Sequence, residues 1–126
     1  MAEVSFFEYN DVMNIRIVAE PITRAEVKEI AAEVYGEMVK GALDIEREII
    51  ALGGEWHMDA HAVLIESGSR QEHIWGFNVY PERTDDEWIE FHSLINIRPQ
   101  AGNRSMRIQN DEIQRRMRAI ITKLVV

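Results

Sequence analysis

Two segments of strand-like pattern, His73 to Tyr80 and Trp88 to Arg98, constrain this chain more than any other feature, because each is closed by a proline, Pro81 and Pro99. A strand points successive side chains to opposite faces. In the second segment Ile89, Phe91, Ile95 and Ile97 share one face with Ser93, while Glu90, His92, Asn96 and Arg98 share the other with Trp88 and Leu94. The first segment is rich in aromatic and branched residues, and a polar stretch joins the two. The pair predicts an antiparallel hairpin, and hence a sheet that needs something apolar to cover it.

The rest of the chain supplies further strands and the cover. Met13, Ile15 and Ile17 alternate with Asn14, Arg16 and Val18 up to Pro21, which predicts a strand over about 12–18, with residues 1–10 a loose arm or an extra edge strand. Thr23 and Glu26 have the spacing of a capping box. From there Val27, Ile30, Ala31, Val34, Met38, Ala42, Ile45, Ile49 and Leu52 recur at helical spacing, predicting one long helix up to Gly53-Gly54. Gly36 and Gly41 inside it would each cost about 1 kcal/mol against Ala, unless they mark a kink or a close packing contact. Asn110 before Asp111 and Glu112 predicts the start of a last helix, with Ile113, Met117, Ile120, Ile121 and Leu124 as its buried stripe. The expected fold is a single α+β domain: a small antiparallel sheet of about three strands, with the long and C-terminal helices packed on one face.

With 126 residues, 46% of them hydrophobic, the chain can bury a core without a metal or disulfide. It has no cysteine, which removes disulfides, thiolate metal sites and thiol nucleophiles. The N-terminus shows neither a signal peptide nor a membrane span, so a soluble cytoplasmic protein with no membrane partner is expected. Net charge is −8, unevenly spread: seven basic and two acidic residues from Arg98 onward leave +5 there, against −13 on the first 97 residues. A chain this acidic is not expected to bind nucleic acid generally, and the basic tail has no aromatic residue to stack on bases.

The densest chemical signal is Glu55, His57, Asp59 and His61, at every second position. As a strand, this segment would present all four on one face. As a helix, only residues three or four apart would meet. Asp59 suits an N-cap, Ala60 to Glu66 form helix well, and Gly68 suits a helix end, so a helix over about 59–67 is expected. His57 and Asp59 are then a candidate acid–base pair, and His57, Asp59, His61 and His92 a candidate divalent-metal set, although no familiar ligand spacing is matched. Asn96, Arg98, Asn103 and Arg104 are candidate ligand-binding residues, the arginines suiting an anion. The same groups would also serve as structural pairs, with Asp59 a cap, His57 bonded to backbone, and Arg98 and Arg104 bridging Asp44, Glu46 or Glu66.

The stretches VKGALDIEREIIALGGEWHMDAHAVLIESGSRQEHIWGFNVYP and EFHSLINIRPQAGNRSMRIQ resemble a family of short prokaryotic proteins, domain-of-unknown-function family 5674, over roughly residues 38 to 124. The resemblance implies no activity, but it marks positions. Asp44, Glu46 and Arg47 on the expected long helix, His57, Asp59, Ser69, Trp75, Ser93, Asn96, Arg98, Asn103 and Arg104 fit the family pattern, whereas His61 and His92 stand where the family carries acidic side chains and Glu55 is variable. Two functions from different classes follow: an enzyme or binder with a polar pocket for a small ligand, an anion or a metal, and a homodimeric interaction module in which these residues form a structural network. No cofactor is required by either. A homodimer is expected from the unprotected sheet edges and the aromatic residues.

Overall fold

The computed structural model describes residues 4–10 and 13–126, with residues 4–10 and 13 as backbone alone. It is α+β, a six-stranded, wholly antiparallel sheet of order β1-β2-β4-β3-β5-β6 with helices on both faces. The strands are β1 (Val4–Asn10), β2 (Met13–Val18), β3 (Val39–Asp44), β4 (Ile49–Leu52), β5 (Ile74–Val79) and β6 (Ile89–Glu90). The helices are α1 (Arg24–Ala32), α2 (His57–Glu66) and α3 (Asp111–Leu124). Among the described residues no helix is long and apolar enough to cross a membrane.

The long helix expected over 23–52 is not there, and this is the main correction to the fold. Its first third is α1, opened by the expected capping box: the Thr23 hydroxyl accepts from the Glu26 N–H at 3.1 Å, and the Glu26 carboxylate accepts from the Thr23 N–H at 3.1 Å. The helix ends before Gly36, which adopts φ +88°. The remainder forms the two central strands. Every residue of β4 and all but Lys40 of β3 are buried, because central strands of a sheet covered on both faces are largely apolar; Asp44, at the end of β3, is a buried polar exception. Such a run satisfies helical spacing by accident. Gly41, a liability in a helix, is required here: a Cβ on it would sit 2.5 Å from Cζ of Phe77, its register partner on β5. Asp44, Glu46 and Arg47 thus lie at the end of β3 and in the β3–β4 turn. Asp44 shapes that turn by accepting the Glu46 and Arg47 N–H groups at 2.9 and 3.0 Å.

Alternation along the strands divides the core in two. Val39, Leu43, Ile50, Leu52, Phe77 and Val79 face α1 and α3, meeting Val27, Ile30, Met117, Ile121 and Leu124. On the opposite face Ile15, Ile17, Ala42, Ile49, Ala51 and Ile74 meet Ala60, Val63 and Leu64 of α2. The helices therefore cover both faces rather than one. The expected stripe of α3 is buried as read, with Ile113 only partly covered, and the Asn110 side chain caps that helix by accepting from Glu112 and Ile113 N–H.

The second strand of the expected hairpin is cut short. Only Ile89 and Glu90 pair with β5, opposite Val79 and Asn78. The chain then leaves the sheet, pairing His92 with Arg107 and turning through Leu94–Asn96. What replaces it is a side chain. The Asn96 carboxamide accepts from the Gly76 N–H at 2.7 Å and donates to the Gly76 carbonyl at 3.0 Å, completing the β5 ladder where β6 has departed. Gly76 must be glycine for this approach, since a Cβ there would lie 2.6 Å from Ser93 Cβ.

Candidate functional site

The site is built where α2 begins above β5. Gly53 and Gly54, both at positive φ, swing the chain out of β4 and into the helix. The helix begins at His57, two residues earlier than expected, and Asp59 is not its N-cap. The Asp59 carboxylate instead reaches back from the first turn to accept the Trp56 N–H at 2.9 Å. The Tyr35 hydroxyl fixes the approach from the other side by donating to the Glu55 carbonyl. Trp56 and Met58 are left 61% and 54% exposed, while His57 between them turns inward and is 8% exposed.

His57 packs over the strand face that carries Gly76 and Asn78. Its Nε2 lies 2.7 Å from Asn78 Oδ1 and 3.1 Å from the Phe77 carbonyl. The orientation of Asn78 is fixed, because its Nδ2 donates to Glu90 Oε1 at 2.7 Å and to the His92 carbonyl at 3.3 Å. Both neighbours of Nε2 are therefore acceptors, so Nε2 carries the proton and Nδ1 is the bare nitrogen. Among the described residues no hydrogen bond engages Nδ1. Burial, and next the charge of Lys40, lower the His57 pKa from 6.5 to about 4, so the ring is neutral near pH 7.

The ring forms part of the floor of a groove of about 540 Å³, within the usual range for small-molecule sites. Its walls are largely apolar: Trp56 and Met58 of α2 on one side, Leu94, Ile95 and Met106 on the other. Lys40 reaches it from β3, and His92 and Ser93 from the chain that leaves β6.

The other residues singled out from the sequence are placed differently. Asn96 is fully buried and spends its amide on Gly76 and the Met106 carbonyl. Asn103 is buried, donates to the Asn96, Ser105 and Arg107 carbonyls and accepts from the Gln109 N–H, so it shapes the loop behind the groove. Arg98 donates to the Gln71 and Ile74 carbonyls and stacks 4.1 Å over Trp75, meeting backbone and a ring rather than the carboxylates expected. Arg104 is exposed, and among the described residues it is bonded through its backbone N–H, which donates to the Gln109 side chain. The side chain that ties the sheet to the end of α2 is Arg47, donating to the Ser67 and Ser69 hydroxyls at 2.9 and 2.8 Å.

The acid–base pair and the metal set are not brought together. Asp59 turns to the Trp56 backbone whereas His57 turns to Asn78. His92 lines the groove, but His61 lines a neighbouring depression with Arg98, where burial and then that cation lower its pKa. Among the described residues no three His, Asp or Glu side chains are grouped to hold a metal ion. Sequence reasoning missed Lys40, Asn78 and Met106. Asn78 had a signal: it shares a strand face with Gly76, while Trp75, Phe77 and Val79 alternate on the other.

A family described as "Protein of unknown function (DUF5674)" has a model that matches residues 16–124. The chain belongs to that family. Its match covers every element that builds the groove, from β3 and α2 to the loop carrying Met106. No curated protein and no solved structure matches the chain.

Proposed function

We propose that this family member is a small-molecule-binding protein of the cytoplasm whose ligand lies in the groove, with His57 as its polar anchor. The observation that carries the reading is the state of that imidazole: buried, held through Nε2–H by two acceptors, with no hydrogen bond on Nδ1 among the described residues, and part of the lining of a largely apolar groove. A nitrogen oriented in this way accepts a hydrogen bond from a ligand O–H or N–H and fixes its orientation, while the walls supply affinity through buried apolar area. Its low basicity suits recognition better than proton transfer near neutral pH, where a catalytic base has a pKa close to the working pH.

The test is an NMR titration with 1-octanol, a neutral probe with a donor head and an apolar body. Shifts confined to His57, Asn78, Ser93 and Met106, lost in Met106→Trp, are expected. Scattered shifts, or binding indifferent to Met106→Trp, would overturn the reading. A second reading, the homodimeric interaction module, is favoured by Leu94, Trp56 and Met58 on the rim, exposed by 68%, 61% and 54%. It predicts a dimer by sedimentation that dissociates in Leu94→Asp, and a monomer at all concentrations would exclude it.

A further inference from the structure

We infer that the ligand of this groove is an amphipathic anion, a medium-chain or aryl-substituted carboxylate, whose charged oxygen meets Lys40 while its body lies against Trp56, Leu94 and Met106. This rests on the groove being a small-molecule site, and it adds the chemistry of the ligand's head.

The first observation is Lys40 itself. It projects from β3, a strand otherwise buried throughout, into the groove wall and is only partly exposed. Among the described residues it makes no ion pair; the ion pairs there are Lys28 with Glu82, Arg70 with Glu72 and Arg115 with Glu112. Its Nζ lies 5.4 Å from the centroid of the Tyr35 ring, a contact that leaves the ammonium's hydrogen-bonding capacity unspent. Glu90, in line with Lys40 and Asn78 across the sheet, is already engaged by the Asn78 amide at 2.7 Å and the Tyr80 hydroxyl at 3.4 Å. A half-buried ammonium with no ion pair among the described residues, beside an apolar cleft, is a site for one negative charge.

The second observation is independent and concerns the wall. His92, Ser93, Leu94, Ile95 and Met106 all come from the segment Phe91 to Asn110, which contains Arg98, Arg104 and Arg107 and no acidic residue. In a protein of net charge −8 this one segment carries +3. Arg104 and Arg107 are exposed on it, so this segment adds positive charge beside the groove. The apolar walls restrict the charge to the head. A sugar phosphate or a small inorganic anion would leave Trp56, Leu94 and Met106 uncovered, and an alkyl or aryl body covers them. With the carboxylate at Lys40, a neighbouring hydroxyl or amide N–H on the ligand would meet His57 Nδ1.

The experiment compares octanoate, 1-octanol and octylammonium, three probes with the same body and different heads, by calorimetric titration at pH 7 below their aggregation limits. Wild-type protein is expected to bind octanoate about tenfold more tightly than octanol, the worth of a charge-assisted contact at a partly buried site, and octylammonium most weakly. Lys40→Met should abolish the preference for octanoate over octanol, with a cooperative urea unfolding transition showing that the variant is folded. Lys40→Arg should keep the preference. Octanol or octylammonium binding as tightly as octanoate, or a preference that survives Lys40→Met, would overturn the anionic head while leaving the groove as a binding site. If none of the three probes binds, the small-molecule reading falls, and this inference with it.

Discussion

Acidification should destabilise this protein through His57 in a way that one substitution removes. The folded-state pKa is about 4 and the ordinary value is 6.5. Between those values the unfolded chain holds a proton on this side chain that the folded chain does not. Stability from the neutral ring is therefore complete above about pH 6.5 and is lost as pH falls toward 4, with no further loss below. A shift of about 2.5 units at 1.36 kcal/mol each makes the loss about 3 kcal/mol, a large part of the 5–15 kcal/mol typical of a domain. His61 also has a lowered pKa, so the informative quantity is a difference between two proteins. His57→Gln keeps an amide N–H for the Phe77 and Asn78 acceptors but cannot titrate. Urea unfolding at pH 7.5, 6.5, 5.5 and 4.5 should find the variant about 1–2 kcal/mol less stable at pH 7.5, with the gap closing and reversing toward pH 4.5. Parallel loss of stability in both proteins, or an NMR titration placing His57 near 6.5, would refute the burial and anchoring argued for this ring.

Other consequences are equally direct. Asn96→Ala should cost about 3–4 kcal/mol in urea unfolding, because it strips partners from the Gly76 N–H and carbonyl and the Met106 carbonyl, all on its buried amide. Gly76→Ala should cost about 2 kcal/mol or more by forcing Ser93 off β5; a neutral effect would show that Ser93 does not lie where the contact requires. Arg98→Lys should lower stability by about 1–2 kcal/mol, since an ammonium cannot stack on Trp75 and reach two carbonyls at once; equal melting temperatures would contradict this. Asn110→Ala should cost about 1 kcal/mol by releasing the first amides of α3.

The legible parts of the fold are those governed by local rules. The capping box at Thr23, the cap at Asn110 with the stripe of α3, the strand ending at Val18, and a helix after Gly54 all depend on residues a few positions apart. β3 and β4 were hidden because burial on two faces erases the alternation that distinguishes a strand, and Gly41 looks costly until Phe77 is known to lie across it. The shortened β6 was hidden for another reason: a side-chain amide from Asn96 stands in for backbone, and no pattern announces that substitution. In the site, His57 was visible as the one cluster member that matters to the groove, but its partner is Asn78, 21 positions away across the fold, rather than Asp59 two positions along. Polar residues that stand out in sequence, Asn103 and Arg98, turned inward to satisfy loop carbonyls. The apolar half of the groove, Met58, Leu94 and Met106, stands out in no sequence pattern because its residues come from separate elements.

The most direct test of the account is the protonation state of the His57 ring in solution, read by long-range proton–nitrogen NMR at pH 7 with and without 1-octanol. The geometry predicts a neutral ring with the proton on Nε2, a bare Nδ1, and a response of the ring nitrogens when the probe enters. A ring protonated on Nδ1, or an imidazolium at that pH, would contradict it.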